Sequence, residues 1–203
     1  MFKVIDVGKR GILYLKNSGN DLCDCCNDWE AYSVANYTQR MKNVLDYLKN
    51  NFPNTIVNVM PTLDVTELYE LSEGFCNLIH NSVCNCGIAS QDVRDEVRKL
   101  QLEYVNATAF ICNSPEYTTN NFTAVYQPFT AKTYVPQKDG KPDISFFALD
   151  CFHLSEKGHQ AATVALFNNI LEKFGRKLAY WEGPREKFEC ASPSDFVWTS
   201  RNS

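Results

Sequence analysis

Along the chain, short apolar runs alternate with longer stretches in which apolar residues return every three or four positions. Ile12-Leu13-Tyr14-Leu15 is a continuous apolar run that ends in the polar turn Asn17-Ser18-Gly19-Asn20-Asp21, the pattern of a buried strand. From about Trp29 to Asn50 the spacing is helical, with Tyr32, Met41, Val44, Leu45 and Leu48 inward and Pro53 as the stop. Thr55-Ile56-Val57-Asn58-Val59-Met60 is rich in β-branched residues and predicts a second strand, closed by Pro61. Residues 68–86 read as a short helix and a cysteine-stapled loop. Ser90 is the expected N-cap of a helix that carries Val93, Val97, Leu100 and Tyr104 on one face. Thr108-Ala109-Phe110-Ile111-Cys112 is expected to be a third strand, and residues 113–143 a long loop. Ile144 to Leu149 then leads into Asp150, and a last helix is expected from near Ser155 to about Phe174, where Gly175 stops it. Strands alternating with helices predict an α/β fold with a parallel sheet in one domain.

Composition narrows the function classes. The chain has 203 residues, 44% hydrophobic and 13% aromatic, ordinary values for a folded domain. The net charge of -4 and the lack of a basic stripe argue against a nucleic-acid partner, whose phosphates need clustered Lys and Arg. Nine cysteines are many for a reducing compartment. Sequons at Asn36, Asn106 and Asn121 point the same way, to an oxidising, secretory environment with disulfides. Zinc is the other reading of Cys23-x-x-Cys26 and Cys84-x-Cys86, but no second C-x-x-C completes a four-ligand set. An odd cysteine count leaves at least one thiol without an internal partner. The start lacks the apolar run of about 7–15 residues of a signal peptide. No stretch reaches the roughly 18 apolar residues of a transmembrane helix. A chain that looks secretory without an entry signal is expected to lack an upstream segment.

Two short motifs can carry chemistry. In Asp150-Cys151-Phe152-His153, three residues separate a carboxylate from an imidazole just ahead of a helix. A tight loop there would set the carboxylate against one ring nitrogen and leave the other free as a base. Gly19-Asn20-Asp21 follows a strand, where α/β enzymes place their sites, and the Asn20 amide can donate to an oxyanion. Taken alone, each motif is better read as ordinary turn or cap chemistry. Residues 113–143 could form an apolar rim from Phe122, Tyr126, Phe129 and Tyr134, or a glycosylated surface loop around Asn121. His80 and His159 receive no role. Trp29, Trp181 and Trp198 are expected to pack.

The order of the two motifs, with the longer runs around them, resembles the SGNH (GDSL) hydrolases, and in particular their phospholipase B branch. The runs are Gly19-Asn20-Asp21-Leu22-Cys23-Asp24 with Cys26-Asn27-Asp28, Phe146 to Ser155 with Lys157-Gly158-His159, Phe167-Asn168-Asn169-Ile170-Leu171-Glu172, and the terminal Arg201-Asn202-Ser203. The resemblance covers residues 12–203. It implies a three-layer α/β/α flavodoxin-like sandwich with about five parallel strands. Residues 1–11 are then an atypical start, 12–178 a partial hydrolase domain and 179–203 its C-terminal extension. It also implies hydrolysis of acyl esters in phospholipids and lysophospholipids at a membrane or micelle surface, without metal or organic cofactor. His153 matches the catalytic base, Asp150 its carboxylate partner and Asn20 an oxyanion donor.

The chain departs from the family pattern at the nucleophile, at the oxyanion glycine expected between that serine and Asn20, and over residues 1–11. It contains no Gly-Asp-Ser, so no residue here is identified as the nucleophile. Ser18 lies two residues from Asn20 but stands where the family usually has glycine. The expectation is an inactive chain that pairs with an upstream segment, from a protein that is secreted or faces the extracellular side of a membrane. Without the family's central first strand, an apolar sheet edge is expected to be exposed. The alternative is a non-catalytic extracellular lipid-binding or interaction module derived from such an enzyme.

Overall fold

The computed structural model describes residues 3–7, 10–16, 19–181, 187–192 and 197–199. Four strands form one sheet in the order β1 (Lys3–Val7), β2 (Arg10–Lys16), β3 (Thr55–Met60), β4 (Phe122–Tyr126). β2, β3 and β4 run parallel, with Leu13 beside Val57 and Val57 beside Ala124. β1 pairs antiparallel with β2, from Val7 beside Arg10 to Lys3 beside Tyr14. The edge of β2 that the sequence reading left bare is therefore hydrogen-bonded. Three parallel strands stand among the described residues, where the resemblance implied about five.

Strand alternation assigns the two faces. Leu13, Leu15, Val57, Val59 and Ala124 enter the main core. There they meet α2 (Val34–Asn51), through Tyr37, Met41, Leu45 and Leu48, and α4 (Gln91–Cys112), through Val97, Leu100, Tyr104 and Ile111. Tyr14 and Met60 face the other way, toward Ala161, Ala165 and Leu166 of α5 (Glu156–Leu171), with Phe129 and Trp181. Helices thus cover both faces of a sheet in which β2, β3 and β4 run parallel, the three-layer α/β/α arrangement. Burying a side chain such as Leu45 contributes about 1.5–3 kcal/mol, and the inward spacing of four, four and three on α2 follows the helical repeat.

α2 starts at Val34 rather than near Trp29, because Asp28 first closes a turn on the Ala31 amide and Ser33 then caps the helix by accepting from the Asn36 amide. Ser90 does occupy the N-cap of α4, without a side-chain cap bond. The segment expected as a third strand, 108–112, is the last turn of α4. Thr108 keeps the helical register, bonding the Tyr104 carbonyl at 2.7 Å and the Tyr37 hydroxyl at 2.7 Å. The real third parallel strand is β4, inside the expected loop. That also corrects the apolar rim: Phe122 and Phe129 are core residues, Tyr126 packs against the core, and only Tyr134 is exposed. α5 stops at Leu171, three residues short of Phe174, where Glu172 accepts from the Leu178 amide. Asn168 then binds the backbone of Lys187 and Glu189, tying the following segment to α5.

Candidate active site

The segment ahead of α5 is built as a closed loop. Phe147 and Leu154 face each other as an isolated antiparallel bridge, the Ala148 amide donates to the His153 carbonyl, and the Cys151 amide donates to the Ala148 carbonyl. Cys151 takes a left-handed backbone with φ of 56°. Within this loop Asp150 uses both carboxylate oxygens. Oδ1 accepts from the amides of Phe152 and His153, each at 3.0 Å, and Oδ2 lies 2.6 Å from His153 Nδ1. A carboxylate accepts only, so Nδ1 carries the proton and the neutral ring presents Nε2 as a base. Partial burial raises the Asp150 carboxyl. The bonds from the His153 ring and from the two amides more than offset this, so it sits below its ordinary range and holds its charge. The His153 side chain is 74% exposed, open to an incoming reactant.

The flanking residues of the motif fasten this loop to α5. Ser155 caps α5 by accepting from the Gly158 amide and donates to the Ser145 carbonyl at 2.6 Å. Lys157 donates to Asp143 at 2.9 Å and to the Ser145 hydroxyl at 2.6 Å, and lies over the Phe146 ring. Gly158 is glycine because a Cβ there would stand 2.3 Å from the Phe146 carbonyl oxygen. The Ser155-x-Lys157-Gly158 pattern is therefore scaffold for the histidine loop.

Asn20 is the first residue of α1 (Asn20–Asp24), beyond the C-terminal end of β2, and is exposed. Asp150 and His153 are brought into contact by their own loop, whereas Asn20 is held by a different element. Ser18 lies outside the described residues, as does Arg201-Asn202-Ser203. The cysteines weighed as zinc ligands pair instead as disulfides, Cys23 with Cys84 and Cys26 with Cys86, and a third bridge joins Cys76 to Cys151. Cys25 and Cys112 are buried free thiols and Cys190 an exposed one. Among the described residues no group of three or more His, Cys, Asp or Glu is arranged to hold a metal. The bridges fasten α1 and the histidine loop to one intervening segment, which holds α3 (Gly74–Val83) and the turn Asn85–Ile88.

One residue of that segment, left without a role on sequence grounds, reaches the loop. His80 is fully buried, and its Nε2 lies 2.9 Å from the Cys151 carbonyl. Seventy-one positions separate the two, and no local pattern signals such a contact. His159 is an exposed residue of α5. Trp181 packs in the second core, Trp29 is half exposed, and the Trp198 ring lies under the Lys173 ammonium. The three sequon asparagines are all exposed: Asn36 in the first turn of α2, Asn106 within α4, and Asn121 just ahead of β4.

Comparison with known proteins bears on the family of the chain. A family model for GDSL-like lipases/acylhydrolases matches residues 9–166. The membrane-associated phospholipase B1 of Homo sapiens is 38% identical over 187 residues, covering 88% of this chain and 12% of that protein. The mouse protein of the same name is 34% identical over 201 residues, covering 91% of this chain and 13% of its own length. The rat protein is 33% identical, with 91% and 14% covered. The chain thus spans about an eighth of the length of the curated relatives it matches. No solved structure gives a significant match.

Proposed function

This chain belongs to the GDSL-like lipase/acylhydrolase family, and from that premise we propose that it carries the acid–base half of a site that hydrolyses acyl esters of phospholipids and lysophospholipids. The observation that carries the reading is the 2.6 Å contact between Asp150 and His153 Nδ1, with the histidine side chain open to solvent. His153 Nε2 takes the proton of a serine hydroxyl as that oxygen attacks the ester carbonyl. Asp150 holds the ring in the required tautomer and stabilises the imidazolium. The Asn20 amide donates to the tetrahedral oxyanion. His153 then protonates the leaving glycerol oxygen, and water repeats the cycle on the acyl-enzyme, releasing the fatty acid.

The serine is supplied by a Gly-Asp-Ser segment that these 203 residues do not contain. The partners are accordingly that segment and a lipid surface. The three disulfides support an extracellular or secretory setting. No helix among the described residues is long and apolar enough to cross a membrane. The deciding assay is hydrolysis of lysophosphatidylcholine by the 203-residue chain and by the same chain joined, ahead of Ile12, to a Gly-Asp-Ser segment of the family pattern. The chain alone should give background turnover. The protein joined to that family-pattern segment should be active and lose on the order of 10²–10⁴-fold with His153→Ala. Turnover by the chain alone that depends on His153 would sink the borrowed-serine proposal. A folded, inactive joined protein would sink the site.

Glycans at Asn36, Asn106 and Asn121 belong to the same secretory reading. Asn121 is the best placed, in a turn, whereas Asn106 lies within a helix whose Thr108 hydroxyl is fully buried. Expression through a secretory pathway should give a mass loss on enzymatic deglycosylation, mapped first to Asn121. An unmodified Asn121 peptide would count against it.

A further inference from the structure

We infer that His80 is a positioning residue for the proposed Asp150–His153 pair, acting through the carbonyl of Cys151. The inference rests on the reading of that pair given above. Most of α3 is exposed: Phe75, Asn77, Leu78, Asn81, Ser82 and Val83 all face solvent. Cys76 and His80, four apart and so on one face of the helix, turn inward, and both grip the same residue. Cys76 is bonded to Cys151 through sulfur, and His80 Nε2 lies 2.9 Å from the Cys151 carbonyl oxygen.

Cys151 is the residue whose conformation decides the site. Its φ of 56° is left-handed and costs a non-glycine residue on the order of 1–3 kcal/mol, so the surroundings must impose it. It stands between Asp150 and the two amides, of Phe152 and His153, that bond Asp150 Oδ1. Holding Cys151 therefore holds the carboxylate against the ring that follows.

The proton count fixes how His80 is bonded. A carbonyl can only accept, so His80 Nε2 must carry hydrogen. His80 Nδ1 lies 2.8 Å from the Ser72 hydroxyl, whose oxygen is also 2.9 Å from the Leu68 carbonyl. One hydroxyl proton cannot serve both. It goes either to His80 Nδ1 or to the Leu68 carbonyl. Whichever takes it, the Nε2 hydrogen is directed at the Cys151 carbonyl oxygen and holds the loop. His80 is fully buried, so it reaches no reactant and acts through the loop.

The 203-residue chain has three histidines, so long-range proton–nitrogen spectra can follow each ring. The readout is the signal of a protonated Nδ1 in the His153 ring-nitrogen pattern, seen through the carbon-bound ring protons, which reports the contact with Asp150 and needs no turnover. His80→Phe keeps a ring without a donor and should abolish that signal in a protein whose His159 signals are unchanged. His80→Gln restores an amide donor and should recover it. In the joined, active protein His80→Phe should lower kcat on the order of 10²-fold at constant KM. If the wild-type chain shows no His153 Nδ1 signal, the pair itself is wrong and the functional reading fails. If the signal is present and survives in folded His80→Phe, only the positioning role fails. His80→Met is the second donor-free variant. Failure of both to fold makes His80 a folding residue and overturns the inference as well.

Discussion

Asp143 shows how single side chains set the condition of the loop. Its carboxylate accepts from the Ser145 hydroxyl and amide and from Lys157. The Ser145 hydroxyl, followed by Lys157, lowers its carboxyl from the ordinary 3.8 to about 2. A depressed carboxyl adds stability that is fully present above the unfolded value and is lost as pH falls through the folded one. Asp143→Asn should therefore lower the urea midpoint at pH 5, and its gap from wild type should close between pH 3.8 and about 2. A gap that stays constant down to pH 2 would refute the assignment. The exposed Asp150–His153 pair adds little to stability, being screened by solvent. Its weight lies in orientation. Asp150 and His153 were picked out by the resemblance of the run around them, since their spacing alone fits an ordinary helix cap. His80 was not, since its partner lies 71 positions away.

At the scale of elements, local pattern succeeded where length and residue type agree. β2, β3 and α2 fall close to their expected places because the apolar runs and the helical repeat are each unambiguous there. It failed for Thr108–Cys112 and Phe122–Tyr126, two five-residue apolar runs of similar composition. A short apolar run does not distinguish strand from helix. The first continues α4 because Thr108 meets Tyr37 across α2 and α4, leaving Phe110 exposed. The second becomes a strand because β3 offers it a free edge, with Val57 beside Ala124 and Val59 beside Tyr126. In both cases the deciding neighbour lies far along the chain.

At the scale of the molecule, three disulfides with separations of 61, 60 and 75 residues tie the Asn20 helix and the histidine loop to α3 and the turn after it. Bridges that close long loops stabilise by about 2–4 kcal/mol each in the chain-entropy account. Reduction without denaturant should lower the urea midpoint and loosen the two candidate regions together, read by hydrogen exchange at residues 19–28 and 148–155. An unchanged midpoint would mean that the bridges contribute no stability. The sequence by itself determined the α/β class, the family resemblance, the Asp150–His153 pair and the disulfide chemistry, all of which depend on residue type and near spacing. Only the tertiary structure decided the third parallel strand, the antiparallel cover on β2, the cysteine partners and the burial of His80 against Cys151. Those depend on which distant segments share a surface, and near-neighbour patterns hold no record of that.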